Sequence, residues 1–210
     1  MNLVYLSFAP LLLAPGIGSR AARPVAPLVL LAASAAQAAA ALAVAFTVTT
    51  GTSLAGGYLT TDATARLFLV VINLVFLGIA GYVWNRARTT PELADQVSRF
   101  ARLSLVFMGA ANFVILSNHL LAGWIALEIT TLAATPLVVR TGVPSSRHAA
   151  WRYLLFSSVG LAIAFVGLVC LGRSMATTGA PPTFFLDELR SAPTDAPNMW
   201  RRLGLALVVL

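Results

Sequence analysis

The chain has 210 residues, of which 59% are hydrophobic and only 10% charged, with a mean hydropathy of +0.85. An average soluble domain carries roughly 25% charged residues, so this composition excludes an ordinary soluble fold and points to a membrane protein. The net charge of +7 does not indicate nucleic-acid binding: all fourteen basic residues are arginines, scattered singly or in pairs beside apolar runs, which is a topology signal rather than a phosphate-binding stripe.

Taken in chain order, the sequence predicts an all-α, polytopic transmembrane helix bundle: a single membrane domain over 1–210 with about six complete transmembrane helices and the start of a seventh. The first apolar segment, Asn2 to Gly18, lacks the basic leader of a signal peptide and is expected to remain as a helix. Pro27 to Thr50 is rich in small residues, chiefly alanine, which lets a neighbouring helix approach closely. Thr64 to Trp84, Arg102 to Asn118, Leu120 to Val139 and Ala149 to Leu171 follow, the fourth and fifth joined by a tight turn at Asn118-His119. Residues 172–199 form an extramembrane loop in which Pro181-Pro182, Pro193 and Pro197 bracket a short interfacial helix, Phe184 to Arg190. The last segment, from Trp200 to Leu210, is too short to span a bilayer, so the chain is expected to be a fragment of a longer protein.

Alternating the segments puts nine arginines (Arg20, Arg23, Arg86, Arg88, Arg99, Arg102, Arg140, Arg147 and Arg152) on one side and five on the other. The richer side belongs in the cytoplasm, which gives a multi-pass protein of the inner (plasma) membrane with its N-terminus outside.

Glu128 is the only carboxylate within an apolar segment, nine residues from His119 and twelve from Arg140. At about 1.5 Å per residue it lies roughly 13 Å from one boundary and 18 Å from the other, near the middle of a core about 30 Å thick. Insertion of an acidic residue there costs about 2.5–3.5 kcal/mol, so it persists only with a partner, a water cavity or a proton. Trp124, Thr131 and Thr135 share its helical face, and Asn112, Ser157 and Ser158 on adjacent segments can approach the same region. Arg152 is expected about three residues inside its helix, an axial gap of about 13 Å from Glu128 and too far for a salt bridge. His119 and His148 fall at helix ends on opposite sides, where an imidazole is a candidate proton-relay group. Cys170 has no second thiol for a disulfide or metal site and reads as a packing residue. No phosphate-binding loop, iron–sulfur cysteine cluster or activated nucleophile is evident, so no cofactor, metal or catalytic residue is assigned.

The run Asn112 to Val138, with Trp124-Ile-Ala-Leu-Glu-Ile-Thr-Thr-Leu132 at its centre, followed by Ala150-Trp-Arg-Tyr-Leu-Leu-Phe-Ser-Ser-Val-Gly160, resembles the antiporter-like, proton-conducting membrane subunits of complex I, membrane-bound hydrogenases and Mrp-type antiporters. The Glu-Ile-Thr-Thr-Leu stretch is most similar to the hydrogenase 4 component F branch. The resemblance implies that Glu128 is the fifth-helix glutamate, which in the family pairs with a lysine on a broken seventh helix. It also implies that Arg152 matches a basic residue at the start of the sixth helix, and that partners are the lipid bilayer and other membrane subunits. This chain contains no lysine, which places that residue and the second repeat beyond Leu210.

The favoured expectation is thus a proton-translocating, itself non-catalytic subunit of an energy-converting redox complex (hydrogenase or NADH-quinone oxidoreductase related), with Glu128, Arg152, Thr131 and His119 as the candidate proton-translocation residues. The alternatives are the membrane subunit of a cation/proton antiporter or of proton-driven inorganic-carbon uptake, and a structural fragment in which Glu128 only fastens helices.

Overall fold

A computed structural model of the chain describes residues 8–16, 24–49, 51–90, 94–139, 143–176, 183–191 and 199–209. Pro181, Pro182, Pro193 and Pro197 of the 172–199 loop, Arg20, Arg23 and Arg140 lie outside the described residues. The protein is an all-α bundle of transmembrane type, with one small hairpin. Its helices are α1 (Ala9–Leu13), α2 (Ala26–Thr47), α3 (Ala63–Thr89), α4 (Ala94–Leu116), α5 (Leu120–Val138), α6 (Pro144–Ala176), α7 (Leu186–Ser191) and α8 (Met199–Val209). Among the described residues five of them, α2 to α6, are long and apolar enough to cross a membrane.

Local chemistry explains where the long helices begin and end. Asp62 caps α3 by accepting the Ala65 N–H on its carboxylate at 2.6 Å. The Arg66 guanidinium reaches back to donate to the carbonyls of Ala45 and Val48, the orphan acceptors at the end of α2. Between these helices, β1 (Thr52–Leu54) and β2 (Leu59–Thr61) pair antiparallel through a turn of Ala55–Gly57, where all three φ angles are positive. Gly56 and Gly57 take that conformation without steric cost.

Helix α4 is central, packing on α1, α2, α3 and α5, while α5 connects it to α6, which carries α8. Its buried positions recur at helical spacing: Ala101, Leu105, Met108, Asn112 and Leu116. The contact with α1 is tight, since a Cβ on Gly109 would fall 2.6 Å from Leu11 Cγ. Helices α6 and α8 cross with backbones in near contact, a Cβ on Gly204 meeting the Gly167 carbonyl oxygen at 2.8 Å.

Two expectations about extent are corrected by the structure. The helix predicted from Ala149 begins at Pro144 and continues to Ala176, 33 residues in all. At 1.5 Å per residue that is about 50 Å, longer than the hydrocarbon core, so its polar first turns project beyond it. The short helix expected over Phe184 to Arg190 spans Leu186–Ser191 as α7, and this segment docks on the bundle: Leu186 N–H donates to Asn118 O, Leu120 N–H donates to Phe184 O, and the Phe184 ring lies against Gly172. With the hairpin and the Ser117–His119 turn, it forms a cap over one end of the helices.

Candidate functional site

Glu128 is the ninth residue of the nineteen in α5, halfway along the helix. The side chain is half-buried, yet its Oε2 is fully enclosed and meets no hydrogen-bond partner among the described residues. Only one other buried side-chain atom among them shares that condition, Asn118 Oδ1 in the cap. A buried acceptor left without a donor typically costs about 1–3 kcal/mol, so Glu128 is held at a real expense.

Trp124 sets the orientation of this helix. Its indole N–H donates to Leu161 O on α6 at 2.8 Å, and its ring leans on Phe165 with centroids 4.9 Å apart. Because α5 and α6 run antiparallel, this bond fixes their register: Glu128, one turn along α5, comes level with Ser157, one turn back along α6. Ser157 and Ser158 are half-buried at that level. The same register brings Arg152 to about five residues, or about 8 Å, below Glu128. The Trp124–Leu161 register thus gives a shorter axial gap than the roughly 13 Å expected from depth along the segments. Arg152 itself is exposed and donates nothing to Glu128 Oε2.

The threonines of the stripe are already engaged with their own helix. The Thr131 hydroxyl donates to Glu128 O at 2.8 Å, and Thr135 donates to Thr131 O at 2.8 Å. Thr131 therefore supports the backbone at Glu128, and its oxygen retains acceptor capacity.

His119 stands at the capped end, at the first position before α5. The Ala122 N–H donates to its Nδ1 at 3.3 Å, so the imidazole closes the helix start as an aspartate or serine commonly does. The ring stacks on Tyr58 at 4.9 Å and meets the edge of Phe185 at 4.9 Å. Nine residues separate it from Glu128, about 13 Å along the axis.

Asn112 does not turn to Glu128 but to the other side of α4. Its amide exchanges hydrogen bonds with Asn73 on α3 at 2.9 and 3.3 Å and donates to Gln37 on α2 at 3.5 Å. Asn73 donates in addition to Leu69 O at 2.7 Å. All three amides are at most 3% exposed. Sequence reasoning passed over Gln37 and Asn73, although a lone amide in each of two apolar spans is itself a signal, since such groups are retained where they meet one another.

The fold and this mid-helix carboxyl define a polytopic helical membrane protein with an ionisable group inside the bundle. In keeping with that class, the structure is similar to a chain of the membrane-bound sulfane sulfur reductase, an archaeal respiratory membrane complex, with a TM-score of 0.75 and 19% sequence identity. The similarity covers 99% of this chain and 42% of that one. No family model and no curated protein matches the sequence. The likeness is one of fold, and this chain spans less than half the length of the one it matches.

Proposed function

We propose that the protein is a proton-translocating membrane subunit of an energy-converting respiratory complex, and that Glu128 is the carboxyl on which the proton rests within the membrane. The observation that carries this reading is the enclosed, unpartnered Oε2 of Glu128 at mid-helix. A carboxyl used only to fasten helices has both oxygens engaged, since that is where its stabilisation comes from. One left open is suited to receive a changing partner: a water, a second side chain or a proton. The likeness in fold to a chain of a respiratory membrane complex supports the same reading.

The other residues take supporting parts. Arg152, about 8 Å away along the axis, is the nearest cation in the α5–α6 register against which a deprotonated Glu128 can be balanced. Thr131 steadies the turn that presents the carboxyl. His119 fixes the helix start through Nδ1 and leaves Nε2 as the nitrogen able to exchange a proton at the capped end.

The test is Glu128→Gln in the full-length protein within its complex, with proton translocation measured in vesicles. Glutamine keeps size and hydrogen bonding but releases no proton, so translocation is expected to fall sharply while assembly persists. Unchanged translocation with normal assembly overturns the proposal.

A further inference from the structure

At the end of the bundle opposite the hairpin, α3, α4 and the last turn of α5 enclose an open groove of about 1250 Å³. Its wall is apolar, formed by Val75, Ile79 and Val83 of α3, Phe100 and Leu103 of α4, and Leu137 of α5. Its mouth is polar, with Arg86 from the last turn of α3 and Gln96 and Arg99 from the start of α4. Among the described residues Asp95 is the one acid on the lining, and it lies in the first turn of α4, where a negative charge complements the helix's own positive end. Both arginines are exposed.

The dimensions match one leaflet. Arg86 and Val75 are eleven residues apart on one helical face, about 16 Å, and half of a hydrocarbon core of about 30 Å is 15 Å. Aromatic residues mark the same boundary: Tyr82 is 65% exposed, and Trp84 carries the Arg88 guanidinium 5.6 Å from its ring centre. An apolar trough of that length, with guanidinium groups only at the headgroup level, has the chemistry of a phospholipid with an anionic head.

We infer that the groove is a binding site for an anionic phospholipid, whose phosphate is held by Arg86 and Arg99 and whose acyl chain lies along Val75, Ile79 and Leu103. This site is separate from Glu128 and stands whether or not Glu128 carries protons. Guanidinium groups fork onto phosphate oxygens, while the apolar wall takes the chain that a soluble anion lacks.

The test is native mass spectrometry of the full-length protein in detergent, titrated with phosphatidylglycerol, with phosphatidylcholine of the same chains, and with inorganic phosphate as competitor. Phosphatidylglycerol is expected to be retained selectively and to resist phosphate. Each guanidinium near a phosphate contributes about fivefold in affinity, so Arg86→Gln with Arg99→Gln weakens retention by about 25-fold. Gly78→Leu probes the acyl part: Gly78 lines the groove and a Cβ there meets nothing within 4 Å, so the added side chain fills the trough without disturbing the helix. It is expected to weaken phosphatidylglycerol with both arginines intact, whereas Arg173→Gln, near the other end of α6, leaves binding unchanged. Equal retention of the two lipids, displacement by phosphate, or indifference to the groove variants overturns the inference. So does a photo-reactive phenylalanine analogue replacing Tyr82 in native membranes if it yields a peptide adduct, a protein helix then being the occupant; a lipid adduct supports it.

Discussion

Replacing Asn112 by leucine tests whether the buried amides hold α3 and α4 together. Asn112 is fully buried, and its loss removes two reciprocal hydrogen bonds with Asn73, at 2.9 and 3.3 Å. Within membranes an interhelical hydrogen bond contributes about 0.6 kcal/mol on average and about 1.7 at most. Two such bonds give about 1.2 kcal/mol, and the Asn73 Oδ1 loses its Asn112 donor at a site 1% exposed, which raises the expected cost towards 2 kcal/mol. The Asn73 amide N–H groups keep the Leu69 carbonyl at 2.7 Å, so the penalty does not reach that of a wholly stranded amide. A double-mutant cycle with Asn73→Leu isolates the pair, because the extra bulk of leucine enters both single variants and cancels. Unfolding followed by steric trapping in bicelles should give a coupling energy of about 1–1.5 kcal/mol. Additivity within about 0.3 kcal/mol would show that the pair contributes nothing beyond packing and would refute the reasoning.

Three further outcomes follow from the geometry. Trp124→Phe keeps the ring contact with Phe165 but loses the bond to Leu161 O, and should cost about 0.6–1.7 kcal/mol in the same unfolding assay; no loss on Trp124→Phe, with the whole cost appearing only in Trp124→Ala, would mean that the bond does not set the register. Gly204→Ala forces a methyl to within 2.8 Å of the Gly167 carbonyl oxygen and should destabilise the α6–α8 contact by about 1–3 kcal/mol, read as increased protease cleavage near α8. His119→Ala should lower stability by about 1 kcal/mol through loss of the α5 cap, whereas His119→Asn, a good capping residue, should restore it in thermal unfolding.

Five of the six expected spans, α2 to α6, were legible in the sequence because each is a long apolar run bounded by charge or proline, and membrane insertion leaves little else for such runs to do; of the first, Asn2 to Gly18, the described residues hold the five-residue α1. Their ends were less so. Pro144-Ser-Ser-Arg-His148 reads as loop by polarity, yet proline suits the first turn of a helix, and α6 extends past the membrane where polar residues are at ease. The hairpin was missed although Gly56-Gly57 between short threonine and leucine runs is a turn signal, since three-residue strands are lost among longer apolar segments. Glu128 stood out because a charge at that depth is costly. The bond from Trp124 to Leu161 O did not, because it goes to a backbone carbonyl, and every residue offers one.

The central claim is that Glu128 binds and releases a proton as the complex works, and infrared difference spectroscopy during turnover measures this directly. A protonated carboxyl has a C=O stretch distinct from that of an amide or a carboxylate. A carboxyl band that changes amplitude on turnover and is absent from Glu128→Gln is the expected result. A Glu128 band that stays constant through turnover would contradict it, leaving Glu128 as a permanently neutral group within the bundle.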